Sequence, residues 1–244
     1  METTRITKRE MKLAILRLIA TYQGKSVSKY NFIGRAPFEG DLCREFKGAP
    51  TNAEKQLAGR AWDELVASGH LEIDYSQLVR EGSNCFLTDK GRYALESGAL
   101  DEFDCALLGI NPHLVQLRDG FYEAVLSHAS NSVQQAANSG REFLNQTLRY
   151  IAPEEELVKA KWFEPDAKSN HRLGVNQGHR IHFALEKYGI VDEDDRAFCR
   201  VALKHAGKAL QGGAHATTEL QRQKIQDAMM EVELVFQLML KIGQ

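Results

Sequence analysis

Apolar positions recur along the chain with two different periods. Between Lys8 and Tyr22, Met11, Leu13, Ile15, Leu16, Leu18 and Ile19 share one broad helical stripe. A polar stretch with Gly24, Gly34, Pro37 and Gly40 follows, holding little regular structure beyond a short strand near Phe32. A short helix is expected at 41–47, stopped by Gly48 and Pro50. TNAE at 51–54 is a capping box, because the Thr51 hydroxyl can accept from the third helical amide while Glu54 reaches back. In the helix it opens, Leu57, Ala61, Trp62, Leu65 and Val66 fall on one face, and Asn52, Lys55, Gln56 and Arg60 fall away from it. Gly69 ends that helix. HLEIDY then alternates as a strand, SQLVREGSN is a polar connection, CFLT reads as the return strand, and DKGRYALESG is a further helix.

From residue 111 onward only the helical period is present. Helices are expected near 112–129, 131–150, 154–162, 171–188, 192–210 and 217–243. Asn111-Pro112 and Pro153 open two of them, Gly189 closes a third, and the acids Asp192 to Asp195 suit a first turn. The last helix carries Ile225, Met229, Val232, Val235, Phe236, Met239 and Leu240 on one stripe.

The order helix, short helix, capped helix, hairpin is that of a winged helix. "LVASGHLEI" and "NCFLTDKGRYAL" resemble the recognition helix, wing and terminal helix of bacterial winged-helix domains, in which a leucine, a threonine and a glycine recur after the wing, as do Leu87, Thr88 and Gly91. The chain is therefore expected to be mainly α. The expected parts are an N-terminal winged helix at 1–98 (helices with a small β-hairpin), a linker at 99–111, and an all-α helical bundle at 112–244.

Composition narrows the partners. The net charge of −2 hides an asymmetry. Residues 1–60 hold 12 Lys or Arg against 6 Asp or Glu, and residues 101–244 hold 16 against 20. A polyanion is thus expected to meet the first domain. The outward residues Asn52, Lys55, Gln56 and Arg60, with Arg80 at the wing tip and Lys8, Arg9 and Lys12 on the first helix, are types that bond base edges or phosphates. Duplex DNA is the favoured ligand, with RNA as the alternative. The four cysteines are scattered without a CxxC, which points to reduced thiols in the cytoplasm. Neither a signal peptide nor a membrane span is expected. GxxxxGK[ST], GxGxxG and GxSxG are absent, so no nucleotide cofactor and no such hydrolytic site is expected. His179, His182 and Glu186 share a helix face, but no further metal ligand is identifiable, and no metal is assigned.

A helical bundle with an arginine four to six residues before a histidine resembles HEPN domains, many of which are metal-independent ribonucleases. That resemblance implies an arginine stabilising phosphate charge and a histidine moving the proton of a ribose hydroxyl. Here "KALQGGAH" puts Lys208, not arginine, before His215 with six residues between them. Lysine lacks the bidentate fork of arginine. The literal matches, Arg172 with His179 and Arg200 with His205, carry little weight. With 16 arginines and 8 histidines, about one or two arise by chance. "SGREFLNQTLRYIAPEEELVKAKWF", "NQGHRIHFAL" and "LQGGAH" are together similar to the helical domains predicted as nucleases beside prokaryotic Argonaute-like (PIWI) proteins, and to HEPN-like regions of abortive-infection proteins. This resemblance implies Arg141, Arg180, Lys208 and His215 as catalytic positions, and antiviral defence as the context. The expected function is that of a DNA-binding protein of a prokaryotic defence locus, a homodimer or the partner of a defence protein through its helical domain. The alternatives are a metal-independent ribonuclease toxin and a protein-binding adaptor.

Overall fold

The computed structural model describes residues 6–35, 38–45, 51–76, 84–127, 129, 131–169, 172–212 and 219–242. It is mainly α with a small sheet, and the chain divides into two compact units, Met1–Asp101 and Glu102–Gln244.

In the first unit, α1 (Lys8–Ala20) is opened by Thr7, whose hydroxyl accepts from the Glu10 amide while the Glu10 carboxylate accepts from the Thr7 amide. Its buried stripe is Met11, Ala14, Ile15, Leu16 and Ile19. Then come β1 (Val27–Ser28), α2 (Lys29–Ile33), the paired β2 (Gly34–Arg35) and β3 (Phe38–Glu39), and α3 (Leu42–Glu45). Phe32 therefore sits in a helix. The short strands near it are β1 and β2 on either side of that helix, each of two residues and too short to show a period in the sequence. The 16-residue α4 (Asn52–Ala67) follows, then β4 (Leu71–Ile73), β5 (Asn84–Leu87) and α5 (Asp89–Ser97). The Thr51–Glu54 capping box forms as expected, with bonds of 2.6 and 3.2 Å.

The strands make an antiparallel sheet in the order β1-β5-β4, so the hairpin strand β5 is central. Val27, Cys85 and Ile73 stand in one row across it. Trp62 of α4 is fully buried against Phe32, ring centroids 5.4 Å apart, in a core shared with Ile15, Leu65 and Cys85. Burial of an aromatic ring of this size fixes α4 by one face and leaves the other to water.

The turn from α4 to β4 needs Gly69, whose φ is +74°. The Thr88 hydroxyl then bonds both the Gly69 and His70 carbonyls, at 2.8 and 3.0 Å, and accepts from the Gly91 amide, which ties the start of α5 to this turn. Gly91 lies so close to the turn that a Cβ there would collide with the His70 carbonyl and stand 2.6 Å from Leu87 Cδ1. The Leu87–Thr88–Gly91 pattern thus reflects one close approach of helix to turn.

The second unit is built around α8 (Ser132–Ile151). The neighbouring helices are α6 (Glu102–Ile110), α7 (Pro112–Leu126), α9 (Glu154–Leu157), α10 (Gln177–Lys187), α11 (Glu193–Gly212) and α12 (Glu219–Met239). α8 packs against α7, α10, α11 and α12. Phe143 occupies its middle, edge-on to Phe103 of α6 and Phe236 of α12. Gly140 lets α8 approach closely, since a Cβ there would stand 2.9 Å from Leu210 of α11 and 3.0 Å from Phe121 of α7. Asn111 caps α7, with Pro112 in the first turn, and the Asp192 carboxylate accepts from the amides of Asp194 and Asp195.

Three expectations are corrected. The span 99–111, expected as a linker, contains α6, whose Phe103 and Leu107 enter the second core. The helix expected at 154–162 ends at Leu157. The helix expected at 171–188 starts at Gln177, after a loop in which Gly174 has a φ of +67°. The main ionic anchor is also new. Arg118 of α7 donates to Asp104 of α6 at 2.8 Å and to Glu233 of α12 at 2.9 Å, with its guanidinium over the Phe103 ring. All three side chains are largely buried.

The same substitution should act with opposite sign at two glycines. Gly91→Ala should destabilise the first unit by about 1–3 kcal/mol through overpacking. Gly59→Ala, inside α4, where the added Cβ would come no closer to a packed neighbour than 4.0 Å from Lys29 Cε, should stabilise it by about 0.5–1 kcal/mol. Denaturant midpoints of the two variants test this.

Candidate nucleic-acid interface

On α4, Asn52, Gln56 and Arg60 stand at i, i+4 and i+8, all exposed, with Lys55 half-buried beside them. No side chain of the four makes a hydrogen bond or ion pair with another described residue. The acids further along the helix are neutralised from outside it. Asp63 takes Lys29 at 2.6 Å, and Glu64 takes Lys8 at 2.6 Å and Lys12 at 2.8 Å. Burial pushes the Glu64 carboxyl up, but the bonds from Lys12 and Lys8 outweigh it and hold the group below its ordinary range. The exposed stripe of α4 therefore presents amides and cations.

Three residues expected on this face are engaged inside the unit. Lys8 and Lys12 pair with Glu64, and Arg9 donates to the Gly98 carbonyl at the end of α5. Sequence could not show this, because these partners are far away along the chain, 89 positions in the case of Arg9. Arg80 lies outside the described residues. Tyr75, beside the expected wing, is strongly exposed.

The end of α4 is held by His70, whose Nδ1 lies 2.7 Å from the Ser68 hydroxyl. The ring is almost completely buried. Burial, then the nearby Lys90 charge, lowers its pKa.

In the second unit, the expected catalytic positions fall on three adjoining helices. Arg141 is exposed on α8, within 3.5 Å of Asn138 Oδ1. Arg180 of α10 is half-buried, donating to the Ala152 carbonyl at 2.6 Å with Glu154 3.8 Å away. Lys208 is exposed on α11. It adjoins Gly207, at which a Cβ would stand 3.6 Å from Leu144 of α8 and 3.7 Å from Gln177 of α10. His215 lies outside the described residues. Arg149, one helical turn beyond Asn145 on α8, was not singled out in the sequence. The spacing Arg141–Asn145–Arg149 is the signal that marks it.

The literal Arg–His pairs have other work. Arg200 pairs with Glu193 at 3.4 Å and His205 with Glu231 at 2.9 Å. His179 accepts from the Asn176 amide at 3.2 Å as part of a capping box. His182 stacks on Trp162, which donates to Glu186 at 2.6 Å. Among the described residues no cluster of His, Cys, Asp or Glu is arranged to hold a metal ion, and no helix is long and apolar enough to cross a membrane.

Fold and surface thus define a mainly helical protein whose second unit is a bundle with basic side chains on α8, α10 and α11. Residues 107–239, more than half of the chain, match the family described as "Predicted pPIWI-associating nuclease", and the chain belongs to that family. No curated protein and no solved structure matches it.

His70 gives a pH prediction. The unfolded imidazole gains its proton near its ordinary pKa of about 6.5, whereas the folded one resists protonation until lower pH. The stability it secures is complete above that value and is lost as pH falls toward the folded pKa. Trp62 fluorescence in a Trp162→Phe background should show the denaturant midpoint falling between pH 7.5 and 5.5. His70→Gln should flatten that slope, and an unchanged slope would remove His70 as its source.

Proposed function

We propose that the protein binds nucleic acid within a prokaryotic defence system, with a first unit that is a winged helix and reads duplex DNA through α4. The observation that carries this reading is the outward stripe of α4, where the side chains of Asn52, Lys55, Gln56 and Arg60 have no partner among the described residues while the neighbouring acids are neutralised. The order of elements supports it. A helix held by Trp62 and followed by the β4–β5 hairpin suits a major-groove helix with an adjoining wing. Phosphate contacts supply affinity, and the amides of Asn52 and Gln56 supply base discrimination.

In this reading the second unit joins two copies or holds a defence partner. The apolar side chains of Phe198 and Val201 on α11 and of Met230 and Leu234 on α12, all exposed, support such a contact. The second reading is a metal-independent nuclease in which Arg141, Arg180 and Lys208 bind the phosphate and His215 moves a proton. The family described above favours it.

Both readings are testable in the full chain. Lys55→Ala with Arg60→Ala should weaken binding of a duplex DNA at least tenfold. It should also lower the slope of log affinity against log salt by about 2, one for each lost phosphate contact. Unchanged affinity and slope would discard the α4 reading. For the nuclease reading, overexpression should slow growth and His215→Ala should abolish that toxicity at an unchanged melting temperature. An equally toxic variant would exclude His215.

A further inference from the structure

A cleft of about 190 Å³ opens between the C-terminal half of α8 and the start of α10. It is smaller than the roughly 300–1,000 Å³ of a typical small-molecule pocket, which suits an oxyanion with part of its ester better than a whole metabolite. Leu148 and Val175 form its apolar part, and Asn145, Arg149, Asn176, Gln177 and Arg180 supply the polar groups. Among the described residues no carboxylate lines it.

Two guanidinium groups lie near each other here, and among the described residues only Glu154 offsets their charge. Arg180 is oriented by its bond to the Ala152 carbonyl, and Glu154 stands beyond hydrogen-bond reach at 3.8 Å. Burial disfavours the Arg180 cation; Glu154 offsets part of this, and the like charge of Arg149 adds a smaller push in the same direction as burial. Arg149 is exposed, and its side chain bonds no described residue. The helix start adds donors of its own. The capping box of α10 engages the His179 amide, and the Arg180 amide bonds Asn176. The amides of Gln177 and Gly178 find no acceptor among the described residues, and they carry the positive end of the helix dipole. Asn176 is fixed by its own bond to Asp166 at 2.9 Å.

We propose that this cleft seats the phosphate group of a nucleotide, either as a link in a single strand or as a free mononucleotide, between Arg149 and Arg180 at the start of α10. Arg141, two turns before Arg149 on α8, extends the same cationic edge. The inference rests on the nucleic-acid reading only for the source of the phosphate. The chemistry of recognition is that of two forked cations and backbone amides on an oxyanion.

The test uses the full chain carrying Lys55→Ala and Arg60→Ala, which removes the contribution of α4. A labelled 12-nucleotide single-stranded RNA is titrated at low salt, with adenosine monophosphate as competitor. Adding Arg149→Ala should weaken RNA binding about tenfold and lower the salt slope by about 1. Arg149 is exposed, so the melting temperature should not change. Lys224→Ala, which removes an equal charge from the exposed side of α12, should have much less effect. Competition by the mononucleotide at micromolar concentration identifies a free nucleotide as the occupant. Failure to compete while Arg149→Ala still acts identifies the strand. The proposal is overturned if the α4-silenced chain binds neither probe, or if Lys224→Ala matches Arg149→Ala. The α4 reading fails separately, if silencing α4 leaves duplex binding unchanged.

Discussion

A positive charge withdrawn from water needs an acceptor, and this constraint sorts the cations of the chain by use. Arg118 is largely buried and is saturated by Asp104 and Glu233 on two other helices. Lys8, Lys12 and Lys29 are partly covered and balance Glu64 and Asp63. Lys55, Arg60, Arg141, Arg149 and Lys208 make no ion pair with a described residue. Arg180 lies between the classes, desolvated but only partly compensated. Charge that the fold does not consume is what remains for a polyanion. It lies on α4 in the first unit and on α8, α10 and α11 in the second. The slightly acidic total of the second unit hides this, because its acids are concentrated elsewhere, as in the first turn of α11.

What could be read from the sequence was whatever is encoded locally. The capping boxes at Thr51 and the stripe through Trp62 need only four to fifteen neighbouring residues, and both form as expected. The Asn111-Pro112 start and the Asp192 cap are equally local. The helix α6 escaped notice because EFDCALLGI is short and apolar on most sides, so it shows no contrast between faces. β1 escaped because two residues cannot display a period. α9 stops after one turn although its composition stays helical, since Lys159 to Phe163 turn back in tight backbone bonds.

The candidate site followed the same rule. The exposed face of α4 could be read, because its residues are helix neighbours. The engagement of Lys8 and Arg9 could not, since it depends on Glu64 and Gly98. Nor could the fate of the literal Arg–His spacings. Arg200 and His205 point about 140° apart on one helix, and each finds a different acid, Glu193 and Glu231. Spacing alone does not distinguish a catalytic pair from two surface ion pairs.

Binding and cleavage place different demands on the second unit. The side chains around the α8–α10 cleft are amides, aliphatics and guanidinium groups, and none of these titrates near neutrality. Such a set can hold a phosphate and stabilise charge that develops on it. It cannot take a proton from a ribose hydroxyl or give one to a leaving group, which requires a group with a pKa near the working pH. Cleavage at this cleft would therefore need a proton carrier from outside that set, and the nearby His179 already accepts from the Asn176 amide in the helix cap. His205 pairs with Glu231, and His182 is stacked under Trp162 with Glu186 beside it. His215, seven positions beyond Lys208, is the histidine that the HEPN resemblance assigns to proton transfer. A phosphate site without such a carrier is a binding module, and the addition of one histidine is what would make it a nuclease.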